Sequence, residues 1–237
     1  MLRQGKAVLQ KSMIKLLSIA DYISISNAIF GFLAIIMIFQ NQIHYSFSFI
    51  LLAMIADGVD GLVARKTKLS DLGEYMEAMG DMISLVIAPS LFVYQIYIKN
   101  IDISNNIYQY LILILILIIF LFCNILRLSS FHIMKKERVF NGLPASASSI
   151  IILILSYLMI DYIFLMIIIF IISLGLISNI SFPKPNYIIN LIAAILIIIV
   201  IIFGSQFNSL ALIILLISVL IYIFIGPIYL YYKTKNQ

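Results

Sequence analysis

The sequence has little of what a water-soluble protein needs. Only 11% of its 237 residues are charged, whereas soluble domains carry about 25%. Tryptophan is absent, and the single cysteine, Cys123, excludes an internal disulfide. The longest polar stretch between apolar runs, residues 128–144, is too short to fold alone. These deficits exclude a soluble fold and predict one membrane domain that comprises residues 1–237.

Long apolar runs are what the chain has instead, with 64% hydrophobic residues and a mean hydropathy of +1.16. A membrane-spanning helix needs about 20 largely apolar residues, because each backbone amide must find its partner within its own segment. Asp161 alone marks a turn within the nearly continuous apolar stretch 145–181. We therefore predict an all-α integral membrane protein with about eight transmembrane helices, at residues 22–40, 44–64, 72–97, 106–127, 145–160, 162–181, 187–204 and 210–232.

The basic residues are concentrated on one side of these predicted helices. With the N-terminus in the cytoplasm, every Lys and Arg except Lys99 falls on the cytoplasmic side, as the positive-inside rule requires. The pattern predicts a multi-pass protein of a prokaryotic cytoplasmic (inner) membrane, with both termini and the active site on the cytoplasmic side. Residues 1–20 mix basic and apolar positions and predict a juxtamembrane amphipathic helix. The net charge of +5 indicates contact with anionic membrane lipid and no nucleic-acid partner.

Acidic residues are crowded at the junction of the second and third predicted helices. Asp57 and Asp60 lie about 60° apart on one helix face, and Glu77 and Asp81 about 40° apart on the next. Carboxylates gathered in a membrane need cations, and oxygen ligands favour Mg²⁺ or Mn²⁺. A two-metal clamp that binds a diphosphate fits this spacing. Two further acids start the third helix, where they complement the helix dipole: Asp71 and Glu74.

At these residues the sequence resembles the CDP-alcohol phosphatidyltransferase family. The family signature is D-x2-D-G-x2-A-R, a spacer, and then G-x3-D-x3-D. In this sequence it begins as DGVDGLVAR, residues 57–65, and ends as Gly73, Glu77 and Asp81. The sequence departs from the family twice, because the spacer is one residue shorter and Glu77 stands where the family has Asp. Glu keeps the charge and adds a methylene, so the metal geometry is expected to shift.

The resemblance implies a role for each matching residue. Asp57, Asp60 and Glu77 would be metal ligands, and Asp81 would share a metal and accept the proton of the attacking alcohol. Two divalent ions, Mg²⁺ or Mn²⁺, are implied. The residues implied to bind CDP or the other substrate are Gly61, Ala64, Arg65, Gly73, Asn27 and Arg127. For the last two, the open alternatives are a helix cap or an interhelical hydrogen bond at Asn27, and a membrane-interface anchor at Arg127.

Further segments resemble the serine-using branch of the family, the phosphatidylserine and archaetidylserine synthases. They are DYISISN (21–27), IAPS (87–90), RLSSF (127–131), NGLPASA (141–147) and SNISFPK (178–184). The family usually has Arg where Ser130 stands. The resemblance implies a six-helix catalytic core at 21–181, two additional helices at 182–237, and a homodimer.

The implied reaction joins CDP-diacylglycerol, or its ether-lipid equivalent, to L-serine with release of CMP. Three alternatives stay open at this point. A glycerol-phosphate or inositol-phosphate acceptor would keep the family and change the substrate. A membrane prenyltransferase or a cation transporter would also place carboxylates within the membrane.

Overall fold

The computed structural model describes residues 13–64, 70, 72–131, 139–203 and 209–235. These residues are almost entirely helical, and each of the eight predicted segments contains a helix, so the all-α prediction is confirmed. The third segment has three parts, which are α3, a π-helical segment at Met82–Ile87, and α4. The helices are α1 (Ile19–Phe39), α2 (Ile43–Ala64), α3 (Gly73–Asp81), α4 (Ala88–Ile98), α5 (Ile107–Phe131), α6 (Ala145–Tyr157), α7 (Tyr162–Leu176), α8 (Tyr187–Phe203) and α9 (Leu210–Lys235).

The lengths and the apolar composition of these helices indicate a multi-pass membrane protein. Within the described residues, five segments are long and apolar enough to cross a membrane: Ile19–Phe39, Ile43–Val63, Gly73–Ile98, Ile107–Ser130 and Leu210–Tyr232. The remaining three, α6, α7 and α8, are apolar but shorter, with 13, 15 and 17 residues.

The first helix begins at Ile19, three residues earlier than predicted, because Ser18 and Asp21 cap it. The Ser18 backbone N–H donates to Asp21 Oδ2 at 2.6 Å, and the Asp21 N–H donates to Ser18 Oγ at 3.4 Å. This reciprocal capping box satisfies two N–H groups that a helix start leaves open. The amphipathic helix predicted for residues 1–20 lies largely outside the described residues. Its described part holds only a 3₁₀ turn at Met13–Leu16 before α1.

The turn predicted at Asp161 is present. Asp161 is the N-cap of α7, and its Oδ1 accepts a hydrogen bond from the Ile163 N–H at 2.9 Å. Tyr97 Oη on α4 donates to the Ile160 carbonyl at 2.6 Å. The turn is therefore stabilised by its own cap and by a neighbouring helix.

A short antiparallel ladder, which the sequence analysis did not predict, joins the two connections that flank α6 and α7. Strand β1 (Val139–Asn141) pairs with β2 (Ser181–Pro183), and Phe140 lies opposite Phe182. Gly142 follows β1 with φ +74°, and an added Cβ there would collide with the Leu176 carbonyl oxygen. Because β2 begins at Ser181, α7 ends at Leu176 and not at the predicted residue 181.

Helix packing sets α1 between α2 and the third segment. At Gly31 on α1, an added Cβ would lie 2.7 Å from Ser84 Cα, and at Gly80 on α3 it would lie 3.1 Å from the Ser24 carbonyl oxygen. These two glycines let the backbones approach closely, as small residues do in membrane helices. On the other side of the molecule, α5 packs on α7, α8 on α2, and α9 on α6 and β2.

Candidate active site

Helix α1 contacts one acid from each of the two predicted pairs. Ser24 Oγ donates to Asp60 Oδ2 at 2.6 Å, and Asn27 Nδ2 donates to Asp81 Oδ1 at 3.0 Å. Asp60 is 3% exposed and Asp81 is 9% exposed. A buried carboxylate is stable only when hydrogen bonds or charges compensate the lost water. Ser24 and Asn27 supply part of that compensation from a neighbouring helix.

The remaining two acids of the predicted pairs, Asp57 on α2 and Glu77 on α3, lie near the first two. The carboxyl groups of Asp57 and Asp81 are neighbours, and Glu77 is within electrostatic range of both and of Asp60. Neighbouring carboxyl groups repel each other when both are ionised, so a shared proton or a cation stabilises them. The structure thus brings together the four acids that the spacing singled out.

The donor chemistry of this cluster fits a hard divalent cation. The carboxylates supply only oxygen ligands, and the fully buried Asn27 has an Oδ1 atom with no hydrogen-bond partner beside Asp81. As they stand, no three acidic, histidine or cysteine side chains of the described residues lie close enough to hold an ion. Binding an ion would therefore require the side chains of α2 and α3 to approach more closely.

The glycines of the signature differ in the space around them. An added Cβ at Gly58 or Gly61 would meet nothing within 4 Å, so α2 leaves open space beside Asp60. At Gly73, by contrast, it would lie 3.2 Å from Asp21 Oδ1, which places the start of α3 against α1. Open space at Gly61 is what a bound ligand would need. Of the other predicted CDP-site residues, Arg65 and the side chain of Ala64 lie outside the described part of the chain.

Helix α5 brings a cation to the acids. Arg127, near the end of α5, is half-buried, and its Nε donates to the Leu143 carbonyl at 2.6 Å. Its guanidinium is within electrostatic range of Asp57, Glu77 and Asp81. Arg127 is thus held by a backbone carbonyl within electrostatic range of the acids, and its role in substrate binding stays a prediction. Asn27, the other extra candidate, makes the interhelical hydrogen bond that the sequence left as an alternative.

Two polar residues near the site were missed by sequence reasoning. Ser24 lies three residues before Asn27 on the same face of α1, a spacing that could have identified it. Asn124 is fully buried on α5, three residues before Arg127, with Nδ2 donating to the Phe120 carbonyl at 3.0 Å and Oδ1 unpartnered. Its position in an otherwise apolar stretch was the available signal.

Carboxylates from two membrane helices, with a half-buried guanidinium nearby, are groups that can bind divalent metal ions and phosphate oxygens. The family model for CDP-alcohol phosphatidyltransferases matches residues 17–177, and the chain belongs to this family. The protein is therefore a transferase of phosphate-containing groups. Members of the family generally depend on divalent metal ions.

Curated relatives narrow the comparison to one branch. The chain is 34% identical over 183 residues to a CDP-diacylglycerol–serine O-phosphatidyltransferase of Methanocaldococcus jannaschii, covering 76% of this chain and 82% of the relative. It is 29% identical over 184 residues to the archaetidylserine synthase of Methanothermobacter thermautotrophicus, covering 74% of each. A Saccharomyces cerevisiae CDP-diacylglycerol–serine O-phosphatidyltransferase is 26% identical over 164 residues, which cover 62% of this chain and 56% of the relative.

Proposed function

We propose that the protein transfers the lipid phosphate of a CDP-linked lipid to the hydroxyl group of L-serine and releases CMP. The observation that carries this proposal is the proximity of the acids Asp57, Asp60, Glu77 and Asp81 to one another and to Arg127. The serine acceptor is supported by the names of the three relatives, since two name serine as the acceptor and the third names archaetidylserine as the product.

The reaction requires a base and a good leaving group. The serine hydroxyl oxygen forms a bond to the phosphorus on the lipid side of the diphosphate. The bond from that phosphorus to the bridging oxygen breaks, and CMP leaves with the electron pair. Asp81 accepts the hydroxyl proton, and Asn27 orients this carboxylate through the 3.0 Å hydrogen bond to Oδ1. A positioned base of this kind typically contributes about 10²–10⁴-fold in rate.

Asp57, Asp60 and Glu77 would hold two divalent ions, Mg²⁺ or Mn²⁺, with Asp81 sharing one of them. When bound, these ions would neutralise the negative charge of the diphosphate. Ser24 holds Asp60 in place through its 2.6 Å hydrogen bond. Glu77, which replaces the family's Asp, reaches one methylene further from α3.

The proposed CDP site lies along the end of α2 and the start of α3. The open space at Gly61 supports this location. Ala64, Arg65 and Gly73 belong to the same proposed site on the strength of the family signature. Arg127 is proposed to bind the acceptor carboxylate or a phosphate oxygen, because a guanidinium matches the geometry of both groups.

The orientation and architecture are part of the same proposal. The charge pattern supports a prokaryotic cytoplasmic membrane with both termini and the site in the cytoplasm. CDP-lipid would enter from the bilayer and serine from the cytoplasm. Residues 21–181 would form the six-helix core, and residues 182–237 would add two helices. A homodimer, implied by the family resemblance, stays a prediction that cross-linking of the protein in nanodiscs would test.

An acceptor panel tests the proposal most directly. The purified protein in nanodiscs would be given Mg²⁺ or Mn²⁺, CDP-diacylglycerol or CDP-archaeol, and either serine, glycerol phosphate or inositol phosphate. We expect CMP release with serine, and loss of that release when a chelator removes the metal. Release with only a phosphorylated acceptor would contradict the serine assignment. Turnover of an isoprenyl diphosphate, or metal uptake by vesicles without CMP release, would contradict the proposal as a whole.

A further inference from the structure

Helix α9 lies outside the stretch that the family model matches, residues 17–177, yet it is docked on the β-ladder. Tyr222 Oη donates to the Pro183 carbonyl at 3.0 Å, and the Tyr222 and Phe182 rings are 6.2 Å apart. One turn further, Gly226 packs so closely that an added Cβ would lie 2.9 Å from Pro183 Cδ. The hydroxyl group and the glycine thus fix α9 to β2 at two successive turns.

The residues that follow β1 of this ladder hold Arg127. Pro183 is paired with Val139 in the ladder, and the Gly142 N–H after β1 donates to the Ile180 carbonyl at 2.8 Å. The next residue, Leu143, accepts the 2.6 Å hydrogen bond from Arg127 Nε. Hydrogen bonds and strand pairing therefore connect α9, through β2 and β1, to the guanidinium of Arg127.

Tyr222 and Arg127 are also close enough to interact electrostatically. A guanidinium is planar, so its orientation follows the carbonyl that Nε contacts. A displacement of the ladder would turn the guanidinium relative to the acids. Within a membrane protein, such a displacement is resisted by whatever packs on the ladder, and on this side that element is α9.

We propose that Tyr222 is a positioning residue that, together with Gly226, docks α9 on the ladder and thereby orients Arg127 for binding the anionic group of the acceptor. The proposal rests on the proposed function and takes the acceptor carboxylate, the first of the two groups named there, as the partner of Arg127. It extends the set of residues that affect the active site to α9, a helix outside the region that the family model matches. In the proposed function the CDP-lipid is bound by residues of α2 and α3, so α9 should influence the acceptor and not the donor.

Steady-state kinetics of Tyr222→Phe test this inference, because Phe keeps the ring packing on Phe182 and loses only the hydroxyl group. We expect the KM for the acceptor to rise about fivefold to twentyfold, as for the loss of a buried hydrogen bond. The KM for CDP-lipid and kcat should stay near the parent values. Tyr232→Phe is the matched control, since this tyrosine on the same helix is 62% exposed, and it should change neither constant.

Gly226→Ala is a second way to disturb the docking of α9 on the ladder. Its added Cβ meets Pro183 and should raise the acceptor KM without a parallel loss of kcat. Ile225→Ala is the control on the same helix, because Ile225 is 57% exposed, and it should change neither KM nor kcat. An unchanged acceptor KM in both test variants, or an equal fall in turnover with both KM values unchanged, would overturn the inference.

The two proposals fail in different ways. CMP release by the parent protein with serine decides the proposed function. The ratio of acceptor KM between variant and parent decides the role of Tyr222, and it is measured with whichever acceptor the parent uses. A parent that prefers another anionic acceptor would therefore contradict the serine assignment while the Tyr222 ratio still supports or overturns this inference.

Discussion

Helices α1 and α8 are both apolar membrane helices, but they bury different kinds of residue. The buried residues of α1 include Asp21, Ser24, Asn27 and Gly31. Those of α8 are Ile197 and Val200. The buried face of α1 contacts the acids of α2 and α3, whereas α8 packs on the back of α2. The polarity of a membrane helix's buried face therefore indicates its function better than the helix's overall hydropathy does.

The physical reason for the difference is the low polarity of the surroundings. Polar and charged groups in a membrane are stable only where partners or water meet them, so they collect on faces that build a site. A helix that only fills space can consist of Ile and Leu, because lipid is as apolar as its side chains. Substitutions that change a charge or the packing of a side chain should thus alter activity or stability strongly in α1 to α3 and only weakly in α8.

Removing a charge from the acid cluster should have the largest effect. We expect Asp57→Asn and Asp60→Asn each to abolish CMP release, because a neutral amide cannot replace a carboxylate that balances metal charge. The fold should persist, since an Asn at position 60 can still accept from Ser24. Activity and the elution profile in detergent are the measurements. Asp102→Asn, in the loop between α4 and α5, is the control, and near-normal activity at either test position would refute the metal assignment.

Asp81→Asn should reduce turnover more than donor binding. A base must take a proton, whereas a ligand need only hold charge, so we expect a single-turnover rate lower by about 10²–10⁴-fold. Metal-dependent binding of CDP-lipid should fall much less. Parallel loss of binding and rate would make Asp81 chiefly a ligand. An unchanged rate would remove it from the mechanism.

The close approach of α1 to the third segment gives a smaller effect, on stability. Gly31→Ala places Cβ against the Ser84 backbone at 2.7 Å, and overpacking of this kind costs about 1–3 kcal/mol. Thermal unfolding in detergent is the measurement. Gly58→Ala is the matched control, because its Cβ meets nothing within 4 Å and Ala favours a helix by about 1 kcal/mol. Equal melting temperatures for the two variants would contradict the packing described at Gly31.

The smallest effect is expected on the outer face of α8. Ile198 is 45% exposed, and Ile198→Ala should change the free energy of unfolding by no more than about 0.5 kcal/mol. The neighbouring Ile197 is 5% exposed, and Ile197→Ala should destabilise the protein measurably more. Both variants should retain full activity. A loss of activity at Ile198 would show that α8 does more than fill space.

The sequence predicted the parts of this molecule that depend on composition and local spacing. Hydropathy located the eight helical segments, Asp161 marked the turn before α7, and the family signature directed attention to the acids. Other features depend on contacts between distant residues and have no local pattern. The pairing of Phe140 with Phe182, the approach of Gly31 to Ser84, and the docking of Tyr222 on Pro183 belong to this second group.

The π-helical segment at Met82–Ile87 has a mechanical consequence for the third span. Wide turns of this kind interrupt the regular hydrogen-bond ladder and permit a bend. The segment divides a 26-residue span into two levers, of which the 9-residue α3 carries Glu77 and Asp81. If these acids move toward Asp57, the short helix α3 would therefore rotate about the π-helical segment while α4 keeps its position. Spin labels on the exposed Tyr75 and the partly exposed Ser90 positions, each paired with a label on α5, should report a metal-induced distance change for the first label only.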